Sequence, residues 1–279
     1  MRRVPETDLY LGYSEADLAR SPCAPFFRPR MAALSADVRE AIAVGPVAAA
    51  LMPPVERAGD LLEPGYQAVE TGYTTCPDRS GRIAVLTPMP GVTPSMWDWW
   101  FAWHGSHAER YKLWHPRAHV HVAWSDGRDD LDHYIGRTSN VVEYVGAGRM
   151  DLTIRFVPPS SLGLDEARLA RAGETAICAR GSLAGTPVET GWLIHHVRPV
   201  PGGAEMRSRF WLGGDNVRPR GLDGPVGRAL GRTAARLAPI AAVQAADLLV
   251  HCAQEMAHLA AILPDLHAAF GPGGKGTSS

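Results

Sequence analysis

The residues TAICARGSLAGTPVETGWLIHHVRPVPGGAEMRSRFWL, at positions 175–212, give the clearest indication of the fold. Three runs rich in β-branched, aromatic and other apolar residues occupy 175–182, 189–197 and 204–212, and short segments with Gly and Pro separate them. Connections this short join antiparallel neighbours, because parallel strands need a crossover of about a dozen residues or more. The stretch therefore predicts three consecutive strands of an antiparallel sheet.

The chain before this stretch adds further strands. Alternating or β-branched runs predict four of them, at 66–75, 82–87, 118–124 and 151–156. In the 118–124 strand, period-2 alternation places Val122 and Trp124 on one face and His119 and His121 on the other. Few helical segments interrupt these strands, which again favours an antiparallel sheet.

Helices are predicted towards both ends of the chain. Ser14 and Ser35 can each accept a hydrogen bond at the start of a short helix. A Trp-rich helix is predicted over 95–103, and a long helix over 225–263, bent near Pro239. Helices that lie beside an antiparallel sheet define the α+β class.

These elements predict an α+β protein in three parts. Residues 1–65 form a small helical N-terminal region, residues 66–270 a domain with a curved antiparallel sheet around the long C-terminal helix, and residues 271–279 a Gly- and Ser-rich flexible tail. A sheet wrapped around a helix leaves a cavity between the two. Such a cavity suits an apolar or aromatic small molecule.

The composition excludes several classes of function. The 279 residues contain 28 Lys and Arg against 29 Asp and Glu, a formal net charge of -1 with no basic excess for nucleic acid. The N-terminus has no apolar run typical of a signal peptide, and polar residues interrupt the apolar stretch 237–266. No two of the four cysteines form a CxxC pair. We therefore expect a soluble, cytoplasmic protein that binds neither nucleic acid nor membrane.

A His/Glu pair in the last helix is the strongest chemical signal. His251 and Glu255, in HCAQE, are four residues apart, so on a helix they share one face and can reach one metal ion. A polar pair on a solvated helix face would have the same spacing. The neighbouring residues are apolar, however, and a buried His/Glu pair needs a partner or a metal.

Other candidate ligands lie earlier in the chain. Five histidines occur close together: His104, His107, His115, His119 and His121. Each alone is more often a hydrogen-bonded structural histidine than a ligand. Glu143, flanked by apolar residues, could point into the cavity or lie on the strand surface. His195 and His196 are adjacent on a strand, so at most one of them faces the cavity.

Four separated strings carry a resemblance to a known family. They are MPGVTPSMWDWWFAWHG (89–105), RYKLWHPRAH (110–119), EMRSRFWLG (205–213) and HCAQE (251–255). In this order they resemble the 2,4-diacetylphloroglucinol hydrolase family, which includes phloretin hydrolase. The resemblance covers about residues 66–262. It implies a Bet v 1-like helix-grip fold, a homodimer, and cleavage of the carbon–carbon bond between an acyl group and a phenolic ring.

The resemblance also implies a zinc ion held by two histidines and two glutamates. Its ligands here are expected to be His115, Glu143, His251 and Glu255, with His119 as the alternative to His115. Zinc polarises a carbonyl and makes water more acidic, which suits hydrolysis of a small aromatic ketone. Glu143 is also a candidate base, and three histidines are candidates for protonating the ring, since imidazole titrates near neutrality: His107, His195 and His196.

Four residues are predicted to line the substrate-binding site: Trp103, His107, Ala118 and Phe210. Phe210 stands where the resemblance leads us to expect a tyrosine, and Ala118 is apolar where a polar residue could serve. A site that hydrogen-bonds a ring hydroxyl discriminates strongly, so these differences predict a changed substrate. A related acyl-phenol, a dihydrochalcone or a polyketide β-diketone is expected as readily as diacetylphloroglucinol.

Two other functions are compatible with such a fold. One is a non-catalytic protein that binds an aromatic ligand in the cavity, because a fold does not fix a function. The other is a metal-free polyketide cyclase or aromatase, which would keep its activity after chelation. The clustered His and Glu residues favour the metal-dependent hydrolase.

Overall fold

The structure, a computed structural model, describes residues 9–129, 133–222, 224–237 and 239–273. Its α-helices are α1 (Glu15–Arg20), α2 (Ala36–Val44), α3 (Pro94–Trp103), α4 (Ala108–Trp114), α5 (Glu166–Ala172), α6 (Gly224–Leu237), α7 (Ala242–Ala260) and α8 (Leu263–Phe270). Its strands are β1 (Gly72–Thr75), β2 (Gly81–Pro90), β3 (His119–Trp124), β4 (Thr138–Val145), β5 (Gly148–Val157), β6 (Thr175–Leu183), β7 (Val188–Val200), β8 (Gly203–Leu212) and β9 (Arg218–Pro219). Residues 1–8 of the predicted N-terminal region and 274–279 of the predicted tail lie outside the described residues.

These strands form one antiparallel sheet. Its order is β1-β2-β8-β7-β6-β5-β4-β3, and β9 pairs with β7. Helix α7 contacts β1 and β2 towards one edge of the sheet and β4 towards the other, so the sheet curves around this helix. The predicted α+β class, a curved antiparallel sheet that grips a C-terminal helix, is confirmed.

The main core lies between the inner face of the sheet and the helices α3 and α7. Trp97, Trp100 and Phe101 of α3, which the sequence places on one helix face, are all buried there. Leu249 and Met256 of α7 are fully buried in the same core. Burial of this apolar surface fixes the axial position of α7, and with it the height of its polar residues above the sheet.

The long helix predicted over 225–263 is divided in the structure. Helix α6 ends before Pro239, α7 follows, and α8 begins beyond Ile262. Proline has no N–H to donate, so Pro239 cannot continue the hydrogen bonding of α6. Pro264 lies in the first turn of α8, where a missing N–H is tolerated. In the described part of the chain, no helix is long and apolar enough to span a membrane.

A second layer covers the outer face of the sheet. The 3₁₀ helix Val55–Leu62, the 3₁₀ helix Pro159–Leu162 and α5 pack there against a smaller apolar cluster that includes Ile194 and Trp211. Buried ion pairs accompany it. Glu70 accepts hydrogen bonds from Arg207 and Arg209, and the exposed fraction of these two arginine side chains is only 1% and 5%.

The ion pairs of Glu70 with Arg207 and Arg209 predict that the stability of the fold depends on pH. Burial alone would raise the pKa of Glu70, but the hydrogen bonds and charges of Arg207 and Arg209 outweigh it and lower the pKa. Burial lowers the pKa of Arg209, yet a guanidinium stays charged where a carboxylate titrates. A carboxylate whose pKa is depressed by folding stabilises the folded state above its unfolded pKa of roughly 4.3, and this stabilisation is lost as the pH falls.

We therefore expect Glu70→Gln to lower the free energy of unfolding more at pH 7 than at pH 4. Urea titrations of both proteins at the two pH values measure this difference. Asp215→Asn is the matched control, because Asp215 pairs with Arg232 in a solvent-exposed ion pair. Equal effects of Glu70→Gln at both pH values would contradict the assignment.

Candidate metal centre

Helix α7 presents His251 and Glu255 to the inner face of the sheet. Both side chains are buried, and His251 Nε2 lies 3.8 Å from Glu255 Oε2. The four-residue spacing places them one turn apart on one face, as predicted from the sequence. Their neighbours Leu249 and Cys252 belong to the main apolar core, so this part of α7 is buried.

Strands β3 and β4 supply the facing pair, His119 and Glu143. The two residues are directly opposite each other in the antiparallel register, so their side chains lie on the same face of the sheet. The register shifts between His119 and His121, where β3 has a bulge. A bulge adds one residue to a strand and re-aims the side chain beside it.

This bulge corrects the predicted alternation of β3. Simple alternation places His119 on the same face of the sheet as His121 and on the other face from Val122. In the structure, His119 shares the inner face with Val122, which pairs with Val141, and His121 pairs with Val142 on the other face. His119 is fully buried as a result, with no measurable exposure.

Four side chains gather here: His119, Glu143 and His251 form the group with mutually close ligand atoms, and Glu255 lies beside it. His119 Nε2 lies 3.4 Å from Glu255 Oε2 and 3.7 Å from Glu143 Oε2, and ligand atoms of His119, Glu143 and His251 all lie within 4.8 Å of one another. Four ligands of a tetrahedral zinc ion, at bond lengths of about 2.1 Å, are separated by about 3.4 Å. The spacings of 3.4 and 3.7 Å are close to that value, and both exceed the usual length of a hydrogen bond.

The hydrogen bonds of the two histidines leave nitrogen lone pairs for a cation. His119 Nδ1 is 3.1 Å from the carbonyl oxygen of Tyr111, which can only accept, so Nδ1 carries the proton and Nε2 is a free lone pair. Nε2 is buried and has no hydrogen-bond partner among the described residues. His251 is hydrogen-bonded to the backbone of Tyr144. A backbone partner on the second nitrogen is the usual arrangement for a metal-ligating histidine.

The electrostatics of the cluster also favour a cation. Burial raises the pKa of Glu143 to about 7, against a smaller lowering by Tyr111. Burial, and then the charge of Glu143, raises the pKa of Glu255 well above its usual range. Burial lowers the pKa of His251 to about 4. Burial, and then the nearby His251, lowers the pKa of His119 well below its usual range. Among the described residues, no cationic side chain lowers the pKa of either carboxyl group. Two neutral imidazoles beside these two carboxyl groups form a donor set that fits a divalent cation.

His115, predicted as a ligand, lies beside this group. Its ring stacks on His251 with the centroids 5.1 Å apart, and it hydrogen-bonds the side chain of Gln254. Burial, followed by the nearby His251, lowers its pKa to about 3. The group of mutually close ligand atoms consists of His119, Glu143 and His251, so His115 and Glu255 both lie outside it. Glu255 Oε2 nevertheless lies 3.4 Å from His119 Nε2 and 3.8 Å from His251 Nε2.

The three histidines predicted to protonate the ring lie in different places. His107 is exposed and bonds Asp129, with 3.0 Å between Nε2 and Oδ2. His195 and His196 point to opposite faces of β7. His196 Nε2 is 2.8 Å from Glu174 on the outer side, whereas His195 lies inside, against Phe101. Only His195 therefore faces the core that holds the candidate metal centre.

The predicted substrate-binding residues are also separated. Phe210 is buried edge-on to His195, with ring centroids 5.7 Å apart. Ala118 is buried beside the centre, where its carbonyl accepts a hydrogen bond from the backbone N–H of Tyr144. Trp103 stacks on Phe270 of α8 and under the guanidinium of Arg110, an arrangement that joins α3 to α8.

Tyr111 is a site residue that the sequence does not indicate. It is buried in α4, its ring stacks on His119 with centroids 3.8 Å apart, and its hydroxyl donates a short hydrogen bond to Glu143. Its sequence neighbours RYKLWHP suggest an ordinary core aromatic residue. The contact with Glu143 spans 32 positions, so no local pattern reveals it.

The sheet curves around a central helix, and imidazoles and carboxylates lie between the two. This arrangement defines a helix-grip domain with a candidate metal centre. The sequence profile of the DAPG hydrolase PhiG domain matches residues 51–268, which include all four converging residues. This chain belongs to that family.

Named relatives are similar over nearly the whole chain. A 2,4-diacetylphloroglucinol hydrolase from Pseudomonas sp is 34% identical over 96% of this chain and 94% of its own length. Phloretin hydrolase from Eubacterium ramulus is 28% identical over 93% of this chain and 89% of its own length. Among solved structures, major latex-like protein 151 from Panax ginseng aligns at 10% identity with a TM-score of 0.30, over 62% of this chain and 97% of its own.

Proposed function

We propose that this chain is a metal-dependent hydrolase that cleaves the carbon–carbon bond between an acyl group and a phenolic ring. One water is consumed, and the products are a carboxylic acid and the deacylated phenol. Membership of the DAPG hydrolase family and the names of two relatives support the reaction type. The buried group of His119, Glu143 and His251, with Glu255 beside it, supports the proposed metal dependence.

We propose zinc as the metal and His119, Glu143, His251 and Glu255 as its ligands. His119 replaces His115 in this set because its free Nε2 faces both carboxylates, 3.4 and 3.7 Å away. Two imidazole and two carboxylate ligands suit zinc, and the two carboxylates would balance its charge. A bound zinc ion would act as a Lewis acid that polarises the acyl carbonyl and makes water more acidic.

Among the histidines, His195 is proposed to hold the substrate ring. Burial lowers its pKa to about 3, so the imidazole is neutral near pH 7 and a poor proton donor to carbon. Its Nδ1 is 2.8 Å from Ser208 Oγ, which fixes the ring orientation. A neutral imidazole fixed in this way can hydrogen-bond a phenolic oxygen through its second nitrogen.

The substrate class follows from the inner face around His195. Phe210 supplies an aromatic edge and no hydroxyl, and Phe101 covers the other side of the His195 ring. Neither aromatic ring can hydrogen-bond a ring hydroxyl, so we propose that the acyl-phenol presents an apolar part here, as the arylpropanoyl chain of a dihydrochalcone does.

The proposal predicts turnover that depends on metal. We expect the purified chain to convert monoacetylphloroglucinol or phloretin to the free phenol and the corresponding acid, measured by liquid chromatography with mass detection. Removal of metal with a chelator should reduce the rate at least tenfold, and added zinc should restore it. Turnover unchanged by chelation would indicate a metal-free enzyme, and tight ligand binding without turnover would indicate a carrier.

Two further properties stay predictions. The family resemblance implies a homodimer, which analytical ultracentrifugation of the full chain would test. The cytoplasmic location expected in the sequence analysis is the second, and cell fractionation would test it.

A further inference from the structure

Tyr111 touches two of the proposed metal ligands with three different groups. Its backbone carbonyl accepts the Nδ1 proton of His119, its ring stacks on the His119 imidazole at an interplanar angle of 5°, and its hydroxyl donates to Glu143 Oε2. Both ligands come from the sheet, on β3 and β4, whereas Tyr111 comes from α4.

We propose that Tyr111 is a positioning residue that sets the orientation of His119 and Glu143 for one metal ion. This inference rests on the proposed metal centre. The carbonyl of Tyr111 selects the tautomer in which His119 Nε2 is a lone pair, and the stacked ring restricts rotation of the imidazole. The hydroxyl holds Glu143 so that Oε2 lies 3.7 Å from His119 Nε2.

Tyr111 is itself held rigidly. It is buried, its amide is hydrogen-bonded to the carbonyl of His107 within α4, and its ring contacts the rings of His104 and Trp114. A ligand that depends on such a partner loses orientation when the partner is removed. Loss of an outer partner typically weakens metal affinity by roughly 10- to 100-fold.

The substitution Tyr111→Phe isolates the hydroxyl, because the ring and the backbone carbonyl remain. The readout is the zinc dissociation constant of the full chain, measured by competition with a chromophoric chelator in the absence of substrate. We expect that constant to rise about 10- to 100-fold. Excess zinc should then restore occupancy of the variant to that of the wild type.

Tyr134→Phe is the matched control for a merely structural effect. Tyr134 is also buried, and its hydroxyl also donates to a carboxylate, Asp98, at 2.9 Å. Both variants should lose similar stability against urea, but Tyr134→Phe should keep the wild-type zinc affinity. Equal zinc affinity in Tyr111→Phe and the wild type would overturn the inference, and so would equal weakening in both variants.

The experiment also separates this inference from the proposed function. A wild-type chain that binds zinc but hydrolyses no acyl-phenol would refute the hydrolase and leave the role of Tyr111 intact if its affinity still falls. A wild-type chain that binds no zinc would overturn both proposals.

Discussion

The variant His119→Ala is expected to lose bound metal and to hydrolyse acyl-phenols at least about 1,000-fold more slowly than the wild type. Lewis-acid stabilisation of a polarised carbonyl is worth several kcal/mol, and each 1.36 kcal/mol is about a factor of ten in rate. The structural reason is the position of His119 Nε2, which lies 3.4 Å from Glu255 Oε2 and 3.7 Å from Glu143 Oε2 and has no hydrogen-bond partner among the described residues.

His115→Ala is the informative comparison. His115 is buried next to the same centre, but its ring packs on His251 and does not complete the group of mutually close ligand atoms. We expect this variant to retain about one zinc ion per chain, measured by elemental mass spectrometry, as four-ligand sites do when their ligands are intact. Loss of zinc in His115→Ala, with retention in His119→Ala, would reverse the assignment.

The variant Glu189→Ala is expected to destabilise the fold by about 3–5 kcal/mol, because it leaves a buried charge without its partner. Glu189 accepts hydrogen bonds from Arg155 at 2.7 Å and from Arg180 at 2.9 Å. The Arg180 side chain is only 2% exposed, so water cannot replace the carboxylate. Urea unfolding followed by circular dichroism measures the loss.

Asp215→Ala controls for removal of a carboxylate in general. It breaks the pair with Arg232, in which both side chains are more than half exposed, so the effect should stay within about 0.5 kcal/mol. Similar destabilisation by the two variants would show that burial of Arg180 does not govern the cost.

The sheet was largely predictable because its signals are local. Strands β6, β7 and β8 contain the three predicted runs completely and extend beyond them by one to three residues at an end, since period-2 patterns and Gly/Pro turns act over a few positions. The Trp-rich helix α3 begins one residue before the predicted start, at Pro94. Of the run predicted at 66–75, only 72–75 forms a strand. Glu70 lies before that strand, and its side chain forms ion pairs with Arg207 and Arg209.

The candidate metal centre was predictable only where its spacing is local. His251 and Glu255 follow from helical periodicity, and both lie in the cluster. The choice of His119 depends on the bulge in β3, which arises from pairing with β4 and leaves no mark in the alternating sequence. The roles of Tyr111 and Glu143 depend on the same tertiary pairing.

The positions of the histidines explain why residue type alone does not identify the one that protonates the substrate ring. His107 and His196 were predicted as ring acids from residue type, but each is paired with a carboxylate away from the inner face, Asp129 and Glu174. His195 faces inward but burial makes it neutral. Residue type indicates that a group can titrate, whereas the direction of a strand side chain and its burial decide what it does.

The metal content of the purified full chain tests the central claim most directly. Elemental mass spectrometry should be applied to the wild type and to His251→Ala side by side, since His251 contributes to the cluster and is fixed by α7. We expect about one zinc ion per wild-type chain and loss of that ion in the variant. A wild-type chain that contains no metal and takes up none from added zinc would contradict it.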